Sequence, residues 1–508
     1  MSKNSVRSRF AISFYSNILR GGVTFLAGLL IARSLGPENY GSYSFLLAFF
    51  LSIIQILNMG TSNAFFTFLS QKPRGLIFIS SYVGWQVAQF FFVFVLIAFI
   101  LPEGWITNVW LGHSKDWILL AFIATFMHQS AWQTMVYIGE SMRMTHRVQY
   151  MNIVISVFHL LLVTILLNTN NISVGIIFGL VIFEYTIAII VASRIIPIQK
   201  LEGEGYSALE WFNKYREYCI PLAVLAWVSF AFEFYDRWLL QYFSGSKEQA
   251  FLSIGIQFST VCMIATISIS RIFWKEIAEA QENNDHERVQ YIYRSVSRLL
   301  FLFGAFLSGF LIPWSDEIVL HLLGAPYFEG SQILAVMLFH SVYQSFGQIM
   351  GTMLLAIKRT KAQLRLRSII MAINFPLSYL VLAPHDALIP GWGLGGLGIS
   401  IKMVGLAILW ANLAAWWVAR EFNWRFEFLY QIVGLGGALF LGLLSHEAVM
   451  GITSLSIFGL IFKGGIAFIL YSLMFGVFIW SFPWLTGLNQ AEFKSELNRL
   501  KEIFVGKI

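Results

Sequence analysis

Fourteen apolar segments, each about 20 to 27 residues long, follow one another along this chain of 508 residues. A helix needs about 20 consecutive apolar residues to cross the hydrocarbon layer of a membrane, and each segment ends at charged or turn-forming residues. The pattern therefore predicts an all-α, polytopic membrane protein with about 14 transmembrane helices. The predicted spans are 10–33, 39–59, 75–101, 117–138, 148–168, 172–193, 219–243, 249–274, 297–323, 331–357, 364–383, 393–418, 428–447 and 456–482.

The overall composition indicates the same class of protein. Charged residues make up 12% of the chain, against about 25% in soluble domains, and the mean hydropathy is +0.69. These values exclude a soluble globular enzyme and an intrinsically disordered chain. The two cysteines, Cys219 and Cys262, lie in apolar segments, so neither a disulfide framework nor a metal site of usual spacing is expected.

The basic residues predict the orientation of the chain in the membrane. Of the 34 Lys and Arg residues, 27 lie in the termini, in alternate loops or at the span ends beside them, three lie at the other loops, and four lie deeper inside predicted spans. Because basic residues collect on the cytoplasmic side, both termini are expected in the cytoplasm. The same bias accounts for the net charge of +7, so no nucleic-acid partner is expected.

A weak internal repeat predicts the domain organisation. The sequence LGPENYGSYSF (35–45) corresponds to SGSKEQAFLSI (244–254) at an offset of 209 residues, and the spans follow the same order in both halves. This favours a duplicated six-helix unit, in two pseudo-symmetric lobes. The predicted domains are an N-terminal lobe at 1–199, an interfacial linker at 200–217, a C-terminal lobe at 218–420, two additional helices at 421–488 and a cytoplasmic amphipathic tail at 489–508.

Ionisable residues inside spans are the candidate functional residues. Placing a charge in hydrocarbon costs about 2.5–3.5 kcal/mol even on the most lenient scale, so such groups are expected to face a cavity. The candidates are the cations Arg20, Arg237, Lys402 and Lys463, the acids Glu184, Glu233 and Asp236, and Asn17, which lies one turn before Arg20.

The alternatives differ among these residues. Arg20 is about eleven residues from either end of its span and is too deep to reach the interface easily, which favours a functional role. Asp236 and Arg237 are equally consistent with a structural pair near the interface, and Lys463 is close enough to the outer interface to extend towards it. Polar residues at helical spacing could line the same water-filled space or hydrogen-bond between helices; they are Gln129, Gln133, His340, Gln344 and Gln348.

The short external loops argue against an enzyme of polysaccharide assembly. None exceeds roughly 15 residues, and 102–116 (PEGWITNVWLGHSKD) contains too few groups for a general acid and base. The glycine-rich segment 391–398 follows no strand, so it indicates helix packing and a flexible turn rather than a phosphate-binding loop.

Several motifs together resemble a known family. LGPENYG (35–41) follows an Arg-ended first span, CIPLAV (219–224) and FYDRWLLQYF (234–243) begin and end the seventh span, and AIKRTKAQLRLR (356–367) precedes INFPLSYL (373–380). The sequence resembles the polysaccharide or O-antigen (Wzx-type) flippases of the multidrug/oligosaccharidyl-lipid/polysaccharide (MOP) exporter superfamily. The two extra C-terminal spans depart from that pattern and are more similar to the lipid II flippase branch.

The resemblance implies a flippase in the bacterial plasma (inner) membrane. Two lobes would surround a cationic cavity that opens alternately to either side. The cavity would carry an undecaprenyl-diphosphate-linked oligosaccharide from the cytoplasmic to the outer leaflet, for O-antigen, capsule or exopolysaccharide synthesis. The expected partners are membrane lipids, the polysaccharide polymerase and the chain-length machinery.

The resemblance also implies roles for the candidate residues. Arg20, Arg237, Lys402, Lys463 and Asn17 would bind the substrate, while Asp236, Glu233 and Glu184 would couple transport to H⁺ or Na⁺. No catalytic residue, metal ligand or cofactor is expected. Two alternatives remain open: a cation-coupled multidrug exporter of the same superfamily and a membrane enzyme such as a polymerase or ligase.

Overall fold

A computed structural model describes residues 6–71, 74–196, 208–451 and 457–487. These residues contain helices and no strand. The α-helices are α1 (Val6–Asn58), α2 (Thr61–Gln71), α3 (Leu76–Val95), α4 (Glu103–Val109), α5 (Lys115–Phe126), α6 (Gln133–Ser141), α7 (Thr145–Asn168), α8 (Val174–Ile195), α9 (Ala208–Cys262), α10 (Ile264–Glu282), α11 (His286–Leu311), α12 (Ser315–Ile318), α13 (Ser331–Ala356), α14 (Thr360–Leu382), α15 (Gly395–Glu421), α16 (Leu429–Val449) and α17 (Ile457–Ser481).

Short segments of other helix types connect or extend several of these helices. The π-helix Leu96–Ile100 continues α3, Met127–Trp132 joins α5 to α6, and Val319–Leu323 follows α12. The 3₁₀ segments are Ile312–Trp314, Ala325–Gly330 and Pro483–Thr486. Side-chain caps begin three helices: Ser114, Ser173 and Asp285 each accept a hydrogen bond from the backbone N–H three residues ahead.

The predicted all-α membrane fold is confirmed. Within the described residues, ten helical segments are long and apolar enough to cross a membrane. The first of them, Tyr15–Asn58, contains two predicted spans. Three further predicted spans lie in α5–α6, within α9, and across the end of α9 and the start of α10. The helices therefore agree with a count of about 14.

Two glycine turns occur at equivalent positions of the repeat. Gly36 has φ 71° and ψ 168° within α1, and Gly245 has φ 80° and ψ −175° within α9. Only glycine adopts this conformation readily, so each turn ends one span and starts the next. The two positions are 209 residues apart, which is the offset of the matching sequences.

The two turns also contact each other. A Cβ atom added to Gly41 would lie 1.7 Å from the backbone oxygen of Ser246, and the Oγ atoms of Ser42 and Ser246 are 3.1 Å apart. Glycine at position 41 therefore allows the two backbones to approach each other.

The chain forms two compact units. Unit 1 comprises Met1–Ser253 and Leu382–Gly395, and unit 2 comprises Ile254–Val381 and Gly396–Ile508. The first part of α9 belongs to unit 1, where Trp238 Nε1 donates to the Val109 carbonyl at 3.1 Å. The units thus divide the chain within α9, whereas the sequence predicted an interfacial linker at 200–217. The lobe boundaries stay a prediction, and the tail at 489–508 lies outside the described residues.

Aromatic contacts form the core of unit 1. The Phe65 ring stacks on Tyr82, with centroids 4.0 Å apart, and on Phe78 at 5.5 Å. Phe122 stacks against Phe90 at 5.4 Å and contacts Phe50 at 5.6 Å. These rings fix α2, α3 and α5 against α1.

In unit 2, the additional helices α16 and α17 pack on α11. A Cβ atom on Gly442 would lie 2.0 Å from the Gly309 carbonyl oxygen, a close approach that small residues permit in membrane helices. Tyr471 on α17 donates to the Phe306 carbonyl at 2.9 Å. Both helices are therefore integral to this unit.

Candidate functional site

Arg20 lies on α1 in unit 1, and its side chain is exposed. It forms no hydrogen bond or ion pair with any described residue, and it interacts electrostatically with His128 and Tyr185. The predicted companion Asn17, one turn earlier on α1, is also exposed. The Arg20 guanidinium is thus not neutralised by an ion pair within the described chain.

Glu184 on α8 lies close to the same position and is buried. Its Oε2 atom is 2.8 Å from Nδ1 of His159 on α7, and its side chain is only 1% exposed. The second oxygen, Oε1, has no hydrogen-bond partner among the described residues. A buried carboxylate oxygen without a partner is energetically costly, so this position is suited to holding a proton or an ion.

Two aromatic rings connect these charged groups. The His128 ring stacks on Tyr185, with centroids 4.6 Å apart, and Tyr185 interacts electrostatically with both Glu184 and Arg20. We refer to Arg20, His128, His159, Glu184 and Tyr185 as the Arg20 cluster. The sequence identified Arg20 and Glu184, and the structure adds the two histidines and the tyrosine.

A polar cavity adjoins this cluster within unit 1. Its volume is about 220 Å³, and glutamines from three regions of the chain line it. The predicted Gln129 and Gln133 are on its wall; the other amides lining it are Gln55, Gln86, Gln89 and Asn58. Gln129 follows His128 directly, and Gln129 Nε2 lies 3.4 Å from His128 Nδ1.

Two breaks in regular helix adjoin residues that line the cavity. Between α1 and α2, Met59 and Gly60 have φ angles of 45° and 81°, and the π-helix Met127–Trp132 supplies Gln129. Irregular backbone at membrane depth is tolerated where it lines a cavity, and π-segments are frequent at functional sites. Both features indicate that this cavity is a built part of the fold.

Arg237 lies elsewhere in unit 1 and is held by polar side chains. Its Nη1 atom donates to Gln249 Oε1 and to Ser253 Oγ, both at 2.9 Å. These contacts join the two parts of α9 across the Gly245 turn, which favours the structural alternative for Arg237. Asp236 is half-buried beside it, and the side chain of Glu233 lies outside the described residues.

Lys402 is buried in unit 2 with 4% exposure. Its ammonium donates to Asn374 Oδ1 at 2.8 Å and to Ser378 Oγ at 2.9 Å. Both acceptors are on α14, four residues apart, on either side of Pro376. Lys402 therefore joins α15 to α14.

Lys463 on α17 is 7% exposed. Its Nζ atom lies 5.7 Å from the Trp314 ring centroid and 3.4 Å from Met450 Sδ. Trp314 in turn contacts His446 edge-on at 4.8 Å, and His446 Nε2 is 3.0 Å from Glu317 Oε1. Lys463 thus belongs to a separate cluster that joins α16 and α17 to the rest of unit 2.

The other polar stripe predicted from the sequence is on α13 in unit 2. His340 and Gln348 are half-buried and Gln344 is exposed. Nδ1 of His340 and Oε1 of Gln348 have no hydrogen-bond partner among the described residues. No group of three or more His, Cys, Asp or Glu side chains in the described chain could hold a metal ion.

No protein-family model and no curated protein sequence matches this chain. Solved structures do match its fold. The lipid II flippase MurJ, in an inward closed conformation, aligns with a TM-score of 0.66 at 16% identity, covering 92% of this chain and 98% of MurJ. An inward-facing multidrug resistance MATE transporter of the MOP superfamily aligns with a TM-score of 0.60 at 13% identity, covering 79% of this chain and 94% of that chain.

A third solved structure also matches the fold. A MOP superfamily transporter from Pyrococcus furiosus, described as having a binding pocket of reversed polarity, aligns with a TM-score of 0.55 at 12% identity. The alignment covers 82% of this chain and 95% of that one. The chain therefore has the helical transporter fold of MurJ and the MATE proteins.

Proposed function

We propose that this protein is a flippase that moves polyprenyl-diphosphate-linked oligosaccharides, such as undecaprenyl-diphosphate-linked repeat units, from the cytoplasmic to the outer leaflet for surface polysaccharide synthesis. The observation that carries the proposal is Arg20, an arginine in a membrane span that forms no ion pair with the described residues. A guanidinium binds phosphate through two parallel hydrogen bonds. The fold likeness to the lipid II flippase MurJ supports the same reading.

The chemistry of such a substrate explains why a polar path is needed. The polyprenyl tail can stay in the bilayer, whereas the charged diphosphate and the sugars must cross a layer that excludes them. Arg20 offers charge compensation on α1, and the polar cavity beside His128 and Gln129 offers hydrogen bonds. The Glu184–His159 pair is the candidate for H⁺ coupling, because a buried carboxylate can exchange a proton as access alternates.

A cation-coupled multidrug exporter is the second candidate. The fold likeness to a multidrug resistance MATE transporter and the buried Glu184 are consistent with it. The exposed arginine disfavours it, because a cationic drug would be repelled by Arg20.

Reconstitution into liposomes tests the proposal directly. Purified protein would be incorporated with a polyprenyl-diphosphate-linked disaccharide in both leaflets, and a membrane-impermeant sugar oxidant would report the accessible fraction. We expect the oxidised fraction to rise from about half to nearly all in the presence of protein. Protein-free liposomes are the control.

Transport of a cationic dye in the same liposomes separates the two candidates. Dye accumulation without movement of the disaccharide lipid would overturn the flippase proposal in favour of an exporter. A change in the glycan itself would indicate an enzyme.

A further inference from the structure

The polar cavity of unit 1 has a composition that selects one class of ligand. Of its fifteen lining residues, eleven are polar, and among the described residues none that lines it carries a charge. A phosphate would require cations and a cationic drug would require acids or a mostly aromatic wall. An uncharged, hydroxyl-rich ligand requires neither.

Amide side chains match the hydrogen-bonding pattern of a sugar. Each glutamine presents two donors and one acceptor oxygen in a plane, and a sugar hydroxyl can donate and accept. Gln55 and Gln133 are free for this role, since neither forms a side-chain hydrogen bond with the described residues. The phenol rings of Tyr82 and Tyr137 supply the remaining apolar and polar contacts.

Other amides of the wall are held in place by the protein. Gln86 donates to the Tyr82 hydroxyl at 3.1 Å and accepts from Thr134 Oγ1 at 3.0 Å. Asn58 accepts from the Ser62 backbone N–H at 2.8 Å. The fixed amides make the site rigid, and the free amides keep unused hydrogen-bond donors and acceptors. Such preorganisation favours binding.

The position of the cavity fits the substrate. Gln133 lies eight residues before the end of α6 at Ser141, or about 12 Å along the helix axis. In the predicted orientation this end is cytoplasmic, where a lipid-linked substrate enters. The cavity adjoins the Arg20 cluster, because Gln129 in its wall is next to His128 of the cluster. In the substrate, the first sugar is likewise attached directly to the diphosphate.

We infer that this cavity is a binding site for an uncharged sugar of the transported oligosaccharide, with Gln55 and Gln133 as its principal hydrogen-bonding residues. The inference rests on the proposed function and adds a specificity to it. The site accepts neutral hexoses and N-acetylated hexoses and discriminates against acidic ones, because a carboxylate would lose its hydration without gaining a cation. The cavity volume of about 220 Å³ far exceeds the ~10–15 Å³ that one water needs, so the cavity has room for a group much larger than a water molecule.

Ligand-observed saturation-transfer NMR on the full chain in lipid nanodiscs tests this inference. The probes are glucose, N-acetylglucosamine and rhamnose, with glucuronate as the acidic counterpart of glucose. We expect saturation transfer to at least one neutral sugar and at least fivefold less transfer to glucuronate than to glucose. The Gln133→Leu variant should lower the neutral-sugar signal at least fivefold, whereas Gln344→Leu on α13 should leave it unchanged.

A second variant guards against loss of folding. Gln133→Glu keeps the shape of the side chain but removes the amide donor and adds a charge, so it should also abolish the neutral-sugar signal. Thermal unfolding of each variant reports whether the fold is intact. Absence of transfer to all three neutral sugars, equal signals from wild type and the folded Gln133 variants, or equal signals from glucose and glucuronate would overturn the inference.

Failure of the sugar site and failure of the flippase proposal are distinguishable. Movement of the disaccharide lipid in liposomes without sugar binding would leave the flippase and remove the sugar site. Sugar binding at the Gln133 wall without lipid movement would leave the site and remove the flippase.

Discussion

At the scale of single residues, membrane-embedded charges have different roles according to their partners. Arg237 and Lys402 are held by side-chain oxygens from a neighbouring helix or helical part, so their charges contribute to packing. Arg20 forms no such contact with the described residues. Of the predicted cations, Arg20 is therefore the one that is best placed to bind a substrate.

Substitution of Arg20 tests this role. Arg20→Ala should lower the rate of disaccharide-lipid movement at least tenfold, because the diphosphate loses its charge compensation. Arg20→Lys should retain part of the rate, since a lysine keeps the charge but not the bidentate geometry. Arg33→Ala, on the same helix, is the matched control. Loss of the Arg20→Ala protein from the membrane would instead assign Arg20 to folding.

His113, in the loop between α4 and α5, predicts a pH dependence of stability. Burial lowers the pKa of His113 below its ordinary value, and its ring stacks on Phe45 with centroids 5.4 Å apart. The neutral ring therefore stabilises the fold fully above about pH 6.5, and this contribution is lost as the pH falls through the lowered pKa.

Thermal unfolding between about pH 7.5 and pH 5 measures this effect. We expect the wild-type midpoint to fall with pH and the His113→Phe midpoint to fall less, because phenylalanine keeps the ring contact and cannot be protonated. Equal pH dependence of both proteins would contradict the assignment.

At the scale of elements, the glycine turns are the most demanding positions. Gly36 and Gly245 share a backbone conformation that costs other residues about 1–3 kcal/mol. We expect Gly36→Ala and Gly245→Ala each to lower the free energy of unfolding by that amount. Gly22→Ala on α1 is the control, since a Cβ there meets nothing within 4 Å and alanine favours helix by up to about 1 kcal/mol. Thermal unfolding of all three variants in detergent would check this, and unchanged midpoints for both turn variants would refute it.

Much at this scale follows from the sequence, because apolar runs and the positive-inside bias are local signals. The equivalence of the segments around Gly36 and Gly245 follows from the 209-residue offset, whereas their turn conformation does not. The pairing of Glu184 with His159 does not, because it joins two helices through a tertiary contact that spacing along the chain cannot reveal. His159 gives no separate signal in the sequence, because a lone histidine in a span is ordinarily neutral and its partner lies on another helix.

The polar cavity of unit 1 shows the same limit. Gln129 and Gln133 are recognisable as a polar stripe on one helix, whereas Gln55, Gln86 and Gln89 join them only through packing. The break at Met59–Gly60 coincides with the predicted end of the second span at residue 59, but its position beside the cavity depends on the fold.

At the scale of the whole molecule, transport against a gradient requires coupling. Glu184→Gln removes the charge of the buried pair with His159, so it should abolish the response of disaccharide-lipid movement to an imposed pH gradient and leave movement without a gradient largely intact. Glu103→Gln, on the exposed face of α4, is the matched control. Liposomes with acidic or neutral interiors would provide the measurement. An undiminished response of Glu184→Gln to the gradient would exclude this residue as the coupling site.

The π-helix at Met127–Trp132 also bears on how such proteins diversify. A π-helix holds one residue more than an α-helix that joins the same ends, so this segment corresponds to a single inserted codon that the flanking helices α5 and α6 tolerate without losing register. Gain or loss of that codon would reshape one wall of the cavity while the rest of the bundle kept its contacts.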